Sequence, residues 1–184
     1  MKALFYIGFL LLSVCVWAAP AQVLIIRHAE KPKTGKDLSE AGRARAAALV
    51  QFFQTDSRML QYGTPVAIYA MAPATSAGTE RPIETVSPLA QALHLNLIEK
   101  YARGDESAAA AEIMNDPQFD GKMVLICWEH NSIPPLASAL GLANAPSWPG
   151  NDVYDRVWEL NYAGATVSSH QDLAQHLMPG DSPL

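Results

Sequence analysis

The hydrophobic positions fall into short unbroken runs separated by longer segments of mixed character. Gln22 to Arg27 carries Val23-Leu24-Ile25-Ile26 without a polar break. Such runs suit strands buried on both faces of a parallel sheet. Pro65 to Met71 is a second run of this kind, and Lys122 to Trp128, with Val124-Leu125-Ile126-Cys127, is a third. Val153 to Tyr162 reads as a late strand and His94 to Ile98 as a short one. Between them lie helical segments. One begins at Ser39, a suitable N-cap, and runs through alanine-rich sequence to about Gln54. Arg81-Pro82 opens another, with proline suited to a first turn, and Pro88 within it is a candidate kink. Asp105 to Asn115 and Ile133 to Leu140 are the remaining helices. The stretch after Gly164 is mixed, with a frayed end expected.

Strands alternate with helices, which predicts a three-layer α/β/α sandwich around a mainly parallel sheet. In such sheets ligands bind beyond the carboxyl ends of the strands, so the residues that follow each strand carry the functional expectation.

The 184 residues suggest one domain, and 49% hydrophobic with 17% charged residues fits a globular chain. The net charge of −5 argues against non-specific binding to nucleic acid or an anionic membrane. Any anion site must be a local cluster of Arg and His.

The N-terminus changes the picture. Lys2 precedes an almost wholly apolar stretch from Ala3 to Val16, and small residues follow. This is the pattern of a secretory signal peptide over residues 1–21, leaving 22–184 as the functional domain. Ala19-Pro20-Ala21 places the cut before Gln22, and Val16-Trp17-Ala18 offers a second position. An uncleaved anchor and a lipoprotein attached through Cys15 are the rivals. The apolar run is short for a spanning helix. An exported chain, periplasmic or secreted and with no stable membrane insertion after cleavage, is expected. Cys127 is then its only cysteine, so no internal disulfide forms.

Three strand ends carry the candidate chemistry. The first gives Arg27-His28-Ala29-Glu30, the second leads through a loop to Arg81, and the third gives Trp128-Glu129-His130-Asn131. Arginine holds phosphate oxygens in a forked, charge-assisted way. A neutral imidazole can attack phosphorus among fixed cations.

At these positions the sequence resembles the histidine phosphatase superfamily, also called phosphoglycerate mutase-like. Leu24 to Glu30 resembles its R-H-G-E motif, Leu38 to Gly42 its L-T-x-x-G segment, and Arg81 to Thr85 its R-x-x-Q/E-T segment. Val124 to His130 resembles the strand that ends in its second histidine. The resemblance runs in order from Val23 to about Gly141 and implies a phosphoglycerate mutase-like fold. It implies that His28 is the nucleophile that becomes phosphohistidine. Arg27 and Arg81 hold the phosphoryl oxygens, and His130 completes the phosphate pocket. The segment from Ser39 to Gly42 starts a helix. The activity implied is hydrolysis of a small phosphomonoester without a metal or other cofactor.

The proton donor stays open between Glu99 and Glu129, with Asp105 and Glu106 as further options. If the strand stays regular, Glu129 faces away from His130. Ala29 and Trp128 stand where the family commonly has glycine and a small residue. Trp148, Tyr154 and Trp158 are candidates for a pocket rim, with Trp158 also suited to the core. The rival activities are a mutase, a protein phosphohistidine phosphatase and a non-catalytic phosphate- or partner-binding module on the same fold. The natural substrate and the oligomeric state are not legible.

Overall fold

The structure is a computed structural model that describes residues 19–75 and 78–183. Most of the predicted leader lies outside the described residues. Among those described, no helix is long and apolar enough to cross a membrane.

The chain runs β1 (Gln22–Arg27), α1 (Glu40–Thr55), β2 (Ala67–Ala70), α2 (Arg81–Ala92), β3 (Leu97–Ile98), α3 (Glu106–Asn115), β4 (Met123–Trp128), α4 (Ile133–Ala139), β5 (Arg156–Ala163) and β6 (Thr166–Ala174). One six-stranded sheet has the order β3-β2-β4-β1-β5-β6. The first four strands of that order are mutually parallel, β5 is antiparallel to β1, and β6 is antiparallel to β5.

The apolar runs are the middle strands because both faces are covered. Val23 and Ile25 of β1 pack with Val124, Ile126, Ile133 and Leu136 on the α3–α4 side. Leu24 and Ile26 pack with Phe53, Leu89, Leu125 and Cys127 on the α1–α2 side. Successive residues of a strand point to opposite faces, so an uninterrupted run is what a central strand between two helical layers requires.

The tail after Gly164 departs from expectation. Residues 166–174 form a full strand, and the final segment is tied down. Asp181 accepts from Arg45 Nη2 at 2.6 Å and from the amides of Leu177 and Met178. β6 is an edge strand with one solvated face, rich in Ser, Thr, His and Gln, so it carries little apolar signal. Pro88 leaves α2 as a single helix.

Candidate active site

Arg27 is the last residue of β1 and is 1% exposed. Its Nη1 donates to the carbonyls of Asn151 at 2.8 Å and Val153 at 2.9 Å, with Gly150 at 3.4 Å. The guanidinium carbon stands 4.0 Å from the centre of the Tyr154 ring, within cation–π range. Nε and Nη2 are buried and have no hydrogen-bond partner among the described residues. These two atoms form one edge of the guanidinium, the geometry that binds an oxyanion in a fork. Burial lowers the Arg27 pKa from its ordinary value, opposed by Tyr154, Glu129, Asp152 and Glu30.

His28 follows and is 4% exposed. Its amide donates to the Trp128 carbonyl at 3.1 Å, which keeps it against the end of β4. Its Nδ1 lies 2.8 Å from the Ala29 carbonyl. A carbonyl only accepts, so Nδ1 carries the proton and Nε2 keeps its lone pair. Burial, reinforced by the charges of Arg27 and Arg81, lowers the His28 pKa to about 4. At neutral pH the ring is therefore uncharged and nucleophilic.

The loop after His28 is held from two sides. The Ala29 amide donates to Thr85 Oγ1 at 2.8 Å, and Thr85 Oγ1 donates to the Arg81 carbonyl at 2.7 Å. The Glu30 carbonyl accepts from the Ser39 amide at 2.9 Å. Ser39 caps α1 through Gly42, and a Cβ on Gly42 would meet the Glu30 carbonyl oxygen at 2.3 Å. Glycine is thus needed where α1 crosses this loop. Ala29 needs no glycine, since its φ is not positive, and it packs fully buried.

Arg81 is the first residue of α2, where the helix dipole disfavours a cation. The conflict is eased by backbone oxygen: Arg81 donates to the carbonyls of Gly35 at 2.6 Å and Asp37 at 3.1 Å. Its charge still acts on His28. Glu84, one turn on, accepts from the Leu38 amide at 2.7 Å. Within the segment from Arg81 to Thr85, all three polar side chains fasten loops: Arg81 holds residues 35–37, Glu84 the Leu38 amide and Thr85 the Ala29 amide. Sequence reasoning left Glu84 and Thr85 without a role. Their spacing on one helix was the available signal.

His130 stands just beyond β4. Its Nε2 lies 2.9 Å from Asn151 Oδ1. Its Nδ1 is 2.8 Å from Glu129 Oε1, but the approach is poorly aligned and makes no directed hydrogen bond. Asn151 therefore touches both candidate phosphate ligands, Arg27 through its backbone carbonyl and His130 through its side-chain Oδ1. Nothing in the local sequence marks it, because its role comes from a loop that returns from α4.

Glu129 does not turn away. β4 ends at Trp128, and the Glu129 carbonyl already accepts from the amides of Ser132 and Ile133 in a turn, so strand alternation no longer applies. Its charge acts on both His28 and Arg27. Oε1 accepts from Asn131, and Oε2 is buried without a partner. Glu99 is placed differently. It is exposed just past β3, at the sheet edge, with β2 and β4 between it and β1. Glu106 accepts from Trp128 Nε1 at 3.3 Å. Trp128 and Trp158 are fully buried, while Trp148 donates to the Val153 carbonyl and so pins the loop that holds Arg27. Among the described residues, no group of three or more His, Cys, Asp or Glu is placed to hold a metal ion.

No protein-family profile matches the sequence, and no curated protein matches it. Solved structures do match. The protein histidine phosphatase SixA complexed with tungstate aligns at a TM-score of 0.61 and 12% identity, covering 84% of this chain and 97% of that one. A phosphoglycerate mutase from Plasmodium falciparum aligns at 0.55 and 14%, covering 88% and 95%. A mycobacterial glucosyl-3-phosphoglycerate phosphatase in complex with VO3 aligns at 0.50 and 14%, covering 83% and 97%. The fold is phosphoglycerate mutase-like, the one these phosphatases and mutase share. At these identities the likeness concerns the fold alone, which houses phosphatases and mutases in these neighbours.

Proposed function

We propose that this chain is an exported phosphatase that hydrolyses small phosphomonoesters through a phosphohistidine on His28. The observation that carries this reading is Arg27. Three carbonyls face its Nη1, while Nε and Nη2 are left buried and unpaired on the residue that precedes His28. A buried donor pair without a partner is costly unless a ligand completes it. A phosphoryl oxygen does so, and Arg81 adds a second positive charge.

In the first step His28 Nε2 attacks phosphorus. The N–P bond forms as the bond to the ester oxygen breaks, and the leaving oxygen takes a proton. Glu129, in its protonated form, is the proposed donor, because its Oε2 is buried without a partner. In the second step water attacks phosphorus, the N–P bond breaks, and Glu129 recovers a proton from that water. His130, held between Glu129 and Asn151, steadies the transferred group. The cationic shell supplies the charge stabilisation, so no cofactor is invoked. Export is supported by the leader pattern in the sequence.

The test uses 4-nitrophenyl phosphate with the purified chain and with His28→Ala. Turnover should fall by more than about 10³-fold in the variant, and an alkaline quench should trap phosphate on the wild-type histidine. Phosphate binding with neither turnover nor trapped phosphoenzyme would point to a binding module. Phosphoryl exchange between acceptors without release of phosphate would point to a mutase.

A further inference from the structure

The sequence offers two signal-peptide cuts, after Ala18 and after Ala21, and the fold treats their products very differently. Ala19 is 6% exposed, and its carbonyl accepts from the Gly121 amide at 3.0 Å. The Ala21 amide donates to the Lys122 carbonyl at 2.9 Å, and the Ala21 carbonyl accepts from the Tyr162 amide at 3.0 Å. Residues 19–21 thus extend β1, packed between the approach to β4 and the end of β5. The Ala19 nitrogen lies 3.4 Å from Asp120 Oδ1.

We infer that the mature chain begins at Ala19, with its new α-ammonium facing the Asp120 carboxylate. This rests on the export reading. A cut after Ala21 removes the partners of the Gly121 and Tyr162 amides, and unpaired backbone donors at a sheet are costly. It also puts the new positive charge on Gln22, a residue with no exposed surface, whose amide faces the Lys122 carbonyl at 3.3 Å. A cut after Ala18 keeps all three backbone bonds. It converts a weak neutral N–H contact into a charge-assisted one, since an ammonium at this nitrogen meets a carboxylate. Signal peptides are removed from an unfolded chain, so the fold does not direct the cut. It records which product the sheet accommodates. Val16-Trp17-Ala18 supplies the small residue required immediately before the bond.

The experiment is expression of the full chain in a secreting bacterium, followed by intact mass and N-terminal sequencing of the exported protein. An N-terminus at Ala19 is expected. An N-terminus at Gln22 overturns the inference while leaving export intact. A chain that keeps Met1 to Ala18 overturns this inference, and recovery of the chain only from the cytoplasm overturns export as well. Two further measurements hold the physical argument to account. Chain 22–184 should unfold at a lower urea concentration than chain 19–184, and equal midpoints overturn the claim that residues 19–21 belong to the sheet. The α-amino group of chain 19–184 should titrate at higher pH than in Asp120→Asn, and identical titration overturns the ion pair.

Discussion

The amide of Ala29 and the hydroxyl of Thr85 meet at 2.8 Å across two elements distant in sequence, joining the loop after β1 to the first turn of α2. The same hydroxyl donates to the Arg81 carbonyl. One side chain thereby sets the spacing between the residue after the candidate nucleophile and the second arginine. Thr85→Val keeps the shape and removes the acceptor, leaving a buried amide unsatisfied. A loss of about 1–3 kcal/mol in urea unfolding is expected, together with reduced kcat for an aryl phosphate. Thr85→Ser should retain both.

Gly42 is a second point of contact with this loop. Its α-helical position brings it so close to Glu30 that a methyl group overlaps the carbonyl oxygen. Gly42→Ala should destabilise the fold by about 1–3 kcal/mol, read by thermal or urea unfolding. An unchanged midpoint would mean that α1 does not cross the loop at this distance.

Arg27→Lys preserves the charge and loses the fork. Lysine has three donors at one point, and the carbonyls of Asn151 and Val153 compete for them. Phosphate or vanadate inhibition should weaken by at least about tenfold, in line with the loss of a charged hydrogen bond. Competitive inhibition constants measure this, and equal constants in the two proteins would remove Arg27 from the anion site.

The low pKa of His28 has two consequences of known sign. Catalysis needs the neutral ring, so kcat/KM should hold its neutral-pH value well below pH 6.5 and fall only as the pH approaches about 4. An acid limb centred near 6.5 would contradict the buried, desolvated placement. Stability moves in the same direction. Between 6.5 and about 4 the unfolded chain binds a proton that the native ring does not, so stability falls as the pH is lowered through this window. The shift corresponds to roughly 3 kcal/mol. His28→Gln should flatten that part of the stability–pH curve.

The C-terminal segment closes on Arg45, whose buried guanidinium pairs with Glu30 at 2.7 Å and Asp181 at 2.6 Å. Asp181→Ala leaves this charge short of a partner and frees the amides of Leu177 and Met178. Removing one member of a buried pair costs about 3–5 kcal/mol. Because Glu30 stands two residues after His28, phosphate affinity should also drop. Equilibrium unfolding and phosphate titration of the same variant separate the two effects.

The central strands were legible because burial on both faces leaves a plain mark, an unbroken apolar run such as Val23 to Ile26 or Val124 to Cys127. The helices between them were legible from caps and breakers, Ser39 and Pro82 among them. β6 was not, since an edge strand keeps a polar face and its pairing with β5 is a property of the partner. The site divides in the same way. Arg27, His28, Arg81 and His130 could be named because each stands beside a strand end or helix start within a recognisable local pattern.

By itself the sequence determined the order of elements as far as β5, the layered fold and the residues that follow each parallel strand, because periodicity and local patterns depend on neighbours along the chain. Only the tertiary structure decided how the candidate carboxylates are set, with Glu129 in the turn beyond β4, its Oε2 buried, and Glu99 exposed just past the edge strand β3. It alone joined Asn151 to both Arg27 and His130, and Thr85 to Ala29. These are encounters between side chains and backbone far apart in sequence. Their geometry follows from strand order and loop return, which no local periodicity encodes.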